Sequence, residues 1–193
     1  MVMGINFILT KISAVAVAVF GIYYKLQTFV YMPTSGITQG AMPIMGYNYG
    51  AKNKKRLLEA LNYSMIICAG INLLGTMLFW IFPKEILSCF NASYEMIEIG
   101  VPALKIISTS FVLGSICFIF SCFFQSLGMG TASLLITLLR QLLILIPLAF
   151  VLGNIFGLKG VWWSFIIAEF ITCICSLIIY KHHSKKDLVL KRI

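Results

Sequence analysis

The sequence predicts an all-α fold, a bundle of helices that crosses a membrane several times, and two observations predict it. First, 60% of the 193 residues are hydrophobic and 11% are charged, whereas soluble globular domains average about 45–50% and about 25%. Second, apolar runs recur along the chain at the length of about 20 residues that a helix needs to cross the hydrocarbon core. A water-soluble fold cannot bury this much apolar surface. We therefore expect a single membrane domain over residues 1–193.

The predicted elements follow one another along the chain, and the longest connection between them is an outside loop at 83–99. Residues 1–9 are apolar but too short to cross, so we interpret them as the remnant of a truncated N-terminal helix. Residues 14–46 are long enough to cross but contain Pro33, Pro43 and several glycines, which predicts one long helix that is kinked or partly unwound. About five complete spans result, the other four being 57–82, 100–127, 132–152 and 158–180, followed by a basic tail at 181–193.

The net charge of +9 is concentrated in two short stretches. Four basic residues and no acidic residue lie at 51–56, and five basic residues with one acidic residue lie at 181–193. Five spans place both stretches on one side of the membrane, as the positive-inside tendency requires. We therefore expect a multi-pass protein of the cell membrane with a cytoplasmic C-terminus, whose large-scale partner is the lipid bilayer and not nucleic acid.

Insertion of an ionisable side chain into the bilayer costs about 2.5–3.5 kcal/mol, so each such residue inside a span is expected to have a structural or functional role. Glu169 lies near the middle of its span, and Arg140 lies at a depth that differs by only about one helical turn. One interpretation is a structural ion pair of Glu169 with Arg140 or with Lys25. The other is that Glu169 takes up and releases a proton during transport, since desolvation favours the neutral carboxyl. Lys105 is near the outer end of its span, where its stem can carry the ammonium to the interface.

Uncharged polar and aromatic groups accompany these charges within the spans. Such groups often bind neighbouring membrane helices together, but collectively they indicate a bundle interior that is not uniformly dry. Gly36 and Gly40 form a G-x-x-x-G pair that permits close helix approach, and together with Pro33 and Pro43 they are candidates for a hinge. The candidates for a substrate pathway are Tyr24, Lys25, Gln27, Gln39, Gln125 and Glu169.

Motifs of enzymes and of metal sites are missing from the sequence. It has no H-E-x-x-H, no G-x-S-x-G and no phosphate-binding loop. Five of its six cysteines lie inside predicted spans, where cysteine acts as a small apolar residue, and their spacing is not that of a zinc site. We therefore expect no enzyme active site, no metal site and no cofactor.

Several blocks of the sequence resemble one transporter family. Residues Met42–Arg56 (MPIMGYNYGAKNKKR), preceded by Ala16–Gln27 (AVAVFGIYYKLQ), look like the eighth helix and the following cytoplasmic loop of the multidrug and toxic compound extrusion (MATE) transporters, and of their bacterial multidrug exporters in particular. The loop motif is carried by Gly46, Tyr47, Asn48, Tyr49 and Gly50. The blocks FQSLG (124–128), LLRQ (138–141) and GVWW (160–163) with Ala168 and Glu169 resemble the tenth, eleventh and twelfth helices in the same order.

The resemblance implies a fold and an activity. Members of the family have twelve helices in two lobes of six and expel cationic or amphipathic molecules by antiport with H⁺ or Na⁺, so this chain would be a C-terminal half that furnishes one wall of the central cavity. A missing N-terminal lobe or a second chain is then an implied partner. Two alternatives stay open: a truncated fragment or membrane partner subunit that transports nothing, and a flippase of lipid-linked glycans from the same superfamily, which predicts a strongly basic cavity.

Overall fold

The computed structural model describes the backbone of residues 1–186 and the side chains of residues 1–183. Helices occupy nearly all of this part of the chain and it contains no β-strand, which confirms the prediction of an all-α fold. Part of the predicted basic tail, residues 187–193, lies outside the described residues. The helices are α1 (Val2–Thr10), α2 (Ala14–Gly50), α3 (Lys54–Ile81), α4 (Pro83–Ser88), α5 (Tyr94–Ser108), α6 (Phe111–Ser126), α7 (Gly130–Leu138), the π-helix π1 (Leu139–Ile144) and α8 (Leu145–Lys186).

Helix α2 begins where the side chain of Ser13 accepts a hydrogen bond from the backbone N–H of Ala16 at 3.3 Å. It runs for 37 residues, about 55 Å at 1.5 Å per residue, which exceeds the hydrocarbon thickness of about 30 Å. Both Pro33 and Pro43 lie inside it on exposed positions. The expectation of a partly unwound helix is therefore wrong: each proline removes one backbone donor, and the hydrogen bonds of the other faces keep the helix continuous.

The motif Gly46–Gly50, expected in a cytoplasmic loop, lies instead in the last turns of α2. The helix ends at Gly50, and Lys52, just beyond it, takes a positive φ of 56°. There the N–H of Asn53 donates to the carbonyl of Asn48 at 2.8 Å, the closing bond of a Schellman-type terminus. The amide of Asn48 is itself held inside the helix, donating to the carbonyl of Ile44 at 2.8 Å. The connection to α3 is consequently only three residues long.

Helix α3 packs along α2 through a buried polar contact. The side-chain amide of Asn72 donates to the hydroxyl of Thr34 at 2.7 Å and to the carbonyl of Cys68 at 2.8 Å. One turn later the hydroxyl of Thr76 donates to the carbonyl of Ser108 at 2.9 Å. Hydrogen bonds between membrane helices contribute about 0.6–2 kcal/mol each. They therefore fix α2, α3 and α5 in register within the bundle.

The span predicted at 100–127 is divided into α5 and α6, which meet at a bend of 46°. At the bend the hydroxyls of Ser108 and Thr109 both donate to the carbonyl of Lys105, and that of Ser110 donates to Ile107. Serine and threonine hydroxyls that bond to the preceding turn compete with the backbone ladder and bend helices. The long connection before α5, expected as a loop at 83–99, contains α4 and the first turns of α5.

Residues 130–183 form a helical run of 54 residues, about 81 Å if straight, which is more than two bilayer thicknesses. The run reverses at Gly157, whose φ of 63° and ψ of −144° are not helical. Arg140 and Glu169 lie 3.1 Å apart on its two sides, a contact that a straight helix cannot make. The run therefore folds back on itself at Gly157 as two antiparallel arms.

We expect Gly157→Ala to lower the free energy of unfolding by about 1 kcal/mol or more, because an L side chain is strained at this φ and ψ. Unfolding of the detergent-solubilised chain, followed by circular dichroism, measures the change. Gly70→Ala is the matched control, since a Cβ at this helical position of α3 meets no atom within 4 Å. Equal effects of the two substitutions would show that the reversal at Gly157 does not depend on glycine.

Two apolar clusters hold the bundle together, one toward each end. The first joins α1 and the first half of α2 with residues of α3, α4, α5, α6 and α8, and includes the fully buried Phe20, Phe111 and Trp162. The second joins the end of α2 with α3, α6 and α7 around Met45 and Phe123. Tyr180 packs against Phe123 in this second cluster with ring centroids 5.6 Å apart. The basic stretch at 51–56 and the start of the tail therefore lie at the same end of the bundle.

The outer surface of the bundle is apolar. On α3 the side chains of Ile66, Leu74 and Leu78 are 68%, 64% and 55% exposed. Apolar patches of this extent are unfavourable in water and are the normal surface of a helix that contacts lipid. The chain is a multi-pass membrane protein.

Candidate functional site

An ion pair between π1 and the far arm of α8 lies at the centre of the site. The Nε atom of Arg140 is 3.1 Å from Oε1 of Glu169, and the two side chains are 16% and 11% exposed. Because both ions are shielded from water, each depends on the other for its charge to be tolerated. The other carboxylate oxygen, Oε2 of Glu169, is buried and has no hydrogen-bond partner among the described residues.

A glycine makes room for this pair. Nη1 of Arg140 donates to the carbonyl of Gly114 on α6 at 3.3 Å. A Cβ at Gly114 would collide with the hydroxyl of Tyr31 and lie 3.2 Å from Oε1 of Glu169. Tyr31, on α2, donates to the carbonyl of Phe111 at 3.3 Å, and the guanidinium carbon of Arg140 lies 5.9 Å from the centre of its ring. Four elements thus meet around one buried charge pair.

A cavity of about 510 Å³ opens beside the ion pair, between α2, π1 and α8. This volume is in the usual range for sites that bind small organic molecules. Its walls combine aromatic rings and methionine side chains with a few polar groups and the carboxylate of Glu169. The side chains on the walls include Tyr24, Gln27, Thr28, Tyr31, Met32, Phe118, Gln141 and Phe165.

A second cavity of about 290 Å³ lies between α2, α6 and α7. Its walls carry no carboxylate, and hydroxyl and amide groups predominate among its polar atoms. Several of these groups are bonded to one another: the amide of Gln125 donates to the hydroxyl of Ser133 at 2.8 Å, and the hydroxyls of Ser121 and Ser133 are 2.6 Å apart. The wall residues on α2 are Ser35, Thr38, Gln39 and Met42.

The two cavities contain most of the residues predicted for the substrate pathway. Tyr24, Gln27 and Glu169 line the larger cavity, and Gln39 and Gln125 line the smaller one. Lys25 lines neither; its side chain is exposed on a different face of α2. The alternative partner for Glu169 is therefore not used: the carboxylate contacts Arg140.

Thr28 and Ser35 line the cavities and were not among the predicted pathway residues, but a helical pattern joins them to residues that were. Tyr24, Thr28, Tyr31, Ser35 and Gln39 recur every three or four residues along α2 and so share one face of the helix. All of them line one of the two cavities. A stripe of polar and aromatic residues on an otherwise apolar span was the signal. Phe118 carries no such signal, because aromatic residues are common throughout the chain.

The glycine pair Gly36 and Gly40 does not bring two helices together within the described bundle. A Cβ at either position would meet no atom within 4 Å, and both residues are exposed. The expectation of a close helix approach at this pair is therefore wrong for residues 1–183, because the pair lies on the outward face of α2, as do Pro33 and Pro43.

Metal-ligating side chains do not cluster in the part of the chain that the structure describes. No group of three or more histidine, cysteine, aspartate or glutamate side chains is placed to hold a metal ion there. All six cysteines are free thiols. The polar chemistry of the site is therefore that of the ion pair and of neutral hydrogen-bonding groups.

Comparison with known proteins identifies the family. The MatE family model matches residues 1–151, most of the chain. The chain belongs to the MatE family. Its fold and the resemblance of its motifs to multidrug and toxic compound extrusion transporters agree with this, and MatE proteins are transporters rather than enzymes.

Curated relatives of this MatE chain include exporters from staphylococci. It is 27% identical over 175 residues to the multidrug export protein MepA of Staphylococcus haemolyticus (strain JCSC1435), a match that covers 91% of this chain and 38% of the relative. It is 28% identical over 176 residues to MepA of Staphylococcus aureus (strain MSSA476), with the same coverage. The chain thus spans about two fifths of the length of the curated relatives it matches.

Solved structures support the same fold. An outward-facing multidrug resistance MATE family transporter of the MOP superfamily superposes with a TM-score of 0.88 at 22% identity, over 94% of this chain and 41% of that one. An inward-facing structure superposes with a TM-score of 0.87 at 22% identity, over 93% of this chain and 42% of that one. The bundle described above is therefore a MATE fold.

Proposed function

We propose that this MatE chain forms one lobe of a multidrug exporter and that its larger cavity is part of the substrate pathway. One observation carries the proposal: a cavity of about 510 Å³ inside a membrane bundle contains a buried carboxylate with one oxygen free of hydrogen-bond partners among the described residues. A cavity of this size with few polar groups suits an organic molecule. The similarity to exporters named MepA points to the same class of function.

The chemistry of the cavity favours amphipathic cations. The carboxylate of Glu169 on the cavity wall offers a negative partner, and the rings of Tyr24 and Tyr31 offer the faces that attract organic cations. Met32 and Met1 add flexible, polarisable surface that adapts to ligands of different shapes. A site with one charge and adaptable apolar walls binds a class of molecules rather than a single one.

The charges of the cavities count against a flippase of lipid-linked glycans. A carrier of pyrophosphate-linked lipids needs a strongly basic cavity, but Lys25 and Lys105 are exposed and line neither cavity. Arg140 does line both, yet its charge is balanced by Glu169. The remaining polar wall groups are neutral hydroxyls and amides.

We propose ion-coupled antiport as the mode of transport, with H⁺ or Na⁺ as the coupling ion. Glu169 can bind one cationic species at a time beside Arg140, so a proton, a sodium ion or a drug competes for the same oxygen. Such competition links entry of the ion to release of the drug. The basic stretches at one end of the bundle favour a cytoplasmic location for that end and for the C-terminus.

The outward face of α2 is proposed as the surface toward the rest of the transporter. Its exposed Pro33, Gly36, Gly40 and Pro43 leave a smooth backbone surface, and the chain covers only about two fifths of its relatives. We propose that an N-terminal lobe or a second chain packs against this face and closes the cavities where the bundle leaves them open. Pro33 and Pro43 would then provide a hinge between this bundle and the added lobe or chain.

Efflux of a fluorescent organic cation from cells that express the chain tests the proposal. The chain is expected to lower dye accumulation relative to empty vector. Glu169→Gln is expected to slow efflux about tenfold or more, because a charge-assisted contact contributes about 1.5–3 kcal/mol. Glu59→Gln, which neutralises an exposed carboxylate of α3 that lines neither cavity, is the matched control.

The ion dependence separates the two coupling ions. Efflux that follows an imposed pH gradient and disappears in Glu169→Gln supports coupling by protons, and efflux that requires a sodium gradient supports Na⁺. Efflux no greater than with empty vector would contradict transport by this chain and favour a non-transporting fragment or partner subunit. Unchanged efflux in Glu169→Gln would contradict the role of this carboxylate.

A further inference from the structure

The two cavities are stacked along the bundle and separated by a shared wall. Along α2 the larger cavity ends and the smaller one begins at Ser35. On α6 and π1 both cavities share Phe118, Arg140 and Gln141. The smaller cavity is the one nearer to the basic end of the bundle, since its α2 residues approach Gly50. A solute that crosses the bundle by way of both cavities must therefore pass the level of these four residues.

Within this shared wall, the position of the Arg140 side chain depends on its ion pair with Glu169, which a competing cation can break. Its guanidinium is held by Glu169 at 3.1 Å and by the carbonyl of Gly114 at 3.3 Å, and it lies over the ring of Tyr31. Loss of the bond to Glu169 leaves one neutral hydrogen bond to restrain a long, flexible side chain.

The backbone that carries Arg140 is also unusual. Arg140 and Gln141 lie in π1, a six-residue π-helix between two α-helical segments. Short π-helical turns inside α-helices often occur at functional sites. Conversion of this turn to the α register would rotate the side chains beyond it by about 100°, one residue's share of an α-helical turn. Arg140 can therefore leave the shared wall in two ways: by breaking its ion pair with Glu169, or by a change of π1 from the π-helical to the α-helical register.

We propose that Arg140 is a gate between the two cavities, held closed by its ion pair with Glu169. A cation that binds Glu169 in the larger cavity releases Arg140, which leaves the shared wall and joins the two cavities into one path. This rests on the proposed transport function but concerns a different property, the connection between cavities. In this proposal Arg140 does not itself bind the transported cation. Its side chain moves when a cation binds Glu169.

Thiol accessibility tests the gate without a drug or an ion gradient. Cys122, on α6, lines the smaller cavity, and Thr137→Cys places a second thiol on the part of its wall that α7 contributes. An impermeant, positively charged methanethiosulfonate is added to sealed right-side-out or inverted vesicles, and mass spectrometry identifies each modified cysteine. Cys89, exposed after α4 at the end opposite the basic stretches, reports orientation and sealing.

The gate predicts that, where Arg140 and Glu169 are intact, Cys122 and the thiol introduced by Thr137→Cys react from one face of the membrane only. Arg140→Ala/Glu169→Gln removes the gate and leaves no unpaired charge, so in this variant the thiols should react from both faces. From the face that is unreactive in the wild type, their reaction should be about tenfold faster than in the wild type, since reactivity follows access. Arg140→Lys, which keeps a long cation opposite Glu169, should restore one-sided reaction. Lys105→Ala, an exposed cation on α5, is the control.

The remaining outcomes overturn the proposal. Reaction from both faces in the wild type means that no barrier separates the cavities. One-sided reaction at an unchanged rate in the double variant means that the barrier is not Arg140. Absence of reaction at both thiols in every chain means that the smaller cavity does not connect to either face. None of these results depends on whether the chain exports a dye, so failure of the gate and failure of the proposed function are distinguishable.

Discussion

Replacing Arg140 by methionine is expected to lower the free energy of unfolding by about 3–5 kcal/mol, the usual effect of removing one partner of a buried ion pair. Methionine is similar in length but cannot carry charge, so Glu169 is left with a side chain that is 11% exposed and without its cation. The carbonyl of Gly114 also loses the donor that Arg140 supplies. Both losses occur where lipid and protein exclude water.

A double-mutant cycle shows whether the loss comes from the pair. Arg140→Met/Glu169→Gln removes both charges, so its free energy of unfolding should lie within about 1–2 kcal/mol of wild type, far closer than that of Arg140→Met alone. Stability is measured by denaturant titration of the chain in detergent micelles, with circular dichroism as the signal. Lys105→Met is the control and should change stability by no more than about 0.5 kcal/mol, since Lys105 is exposed. Additive effects of the two substitutions would contradict a structural ion pair.

The pairing of Arg140 with Glu169 shows how far depth arguments reach. Counting residues from the span ends placed the two groups within about one turn of each other, and the structure brings them into contact. Lys25 also lies at a suitable depth to pair with Glu169, but the structure leaves its side chain exposed. Depth fixes position along the membrane normal, whereas contact depends also on which face of the helix a residue occupies, and that is set by packing against several other helices.

Features that break helical regularity were the least predictable part of the fold. Pro33 and Pro43 are strong sequence signals for a break, yet α2 is continuous. The bend between α5 and α6 occurs at Ser108–Ser110, where hydroxyls bond to the preceding turn, and the π-helix π1 has no proline or glycine. Local sequence gives the cost of a break, and tertiary contacts decide whether it forms. The cavities, which are bounded by these features, therefore followed only from the three-dimensional arrangement.

Replacing Gly114 by alanine is expected to destabilise the bundle by about 1–3 kcal/mol, the range for an added group in a packed interior. The new methyl would overlap the hydroxyl of Tyr31 and press on Oε1 of Glu169 at 3.2 Å. Alanine otherwise stabilises a helix relative to glycine by about 0.5–1 kcal/mol. The destabilisation by the clash must therefore exceed this gain in helix propensity. Gly21→Ala on α2 is the matched control, because a Cβ there meets no atom within 4 Å.

The Tyr31 hydroxyl identifies the cause of the loss. Tyr31→Phe/Gly114→Ala deletes the oxygen that the methyl would overlap, so its free energy of unfolding should recover toward that of Tyr31→Phe alone. The same recovery is expected in dye efflux, because the ion pair returns to its position beside the larger cavity. If Gly114→Ala and Gly21→Ala changed stability equally, the space at Gly114 would not be needed by the pair. Glycine at this position would then reflect helix packing elsewhere and not the seating of Arg140 and Glu169.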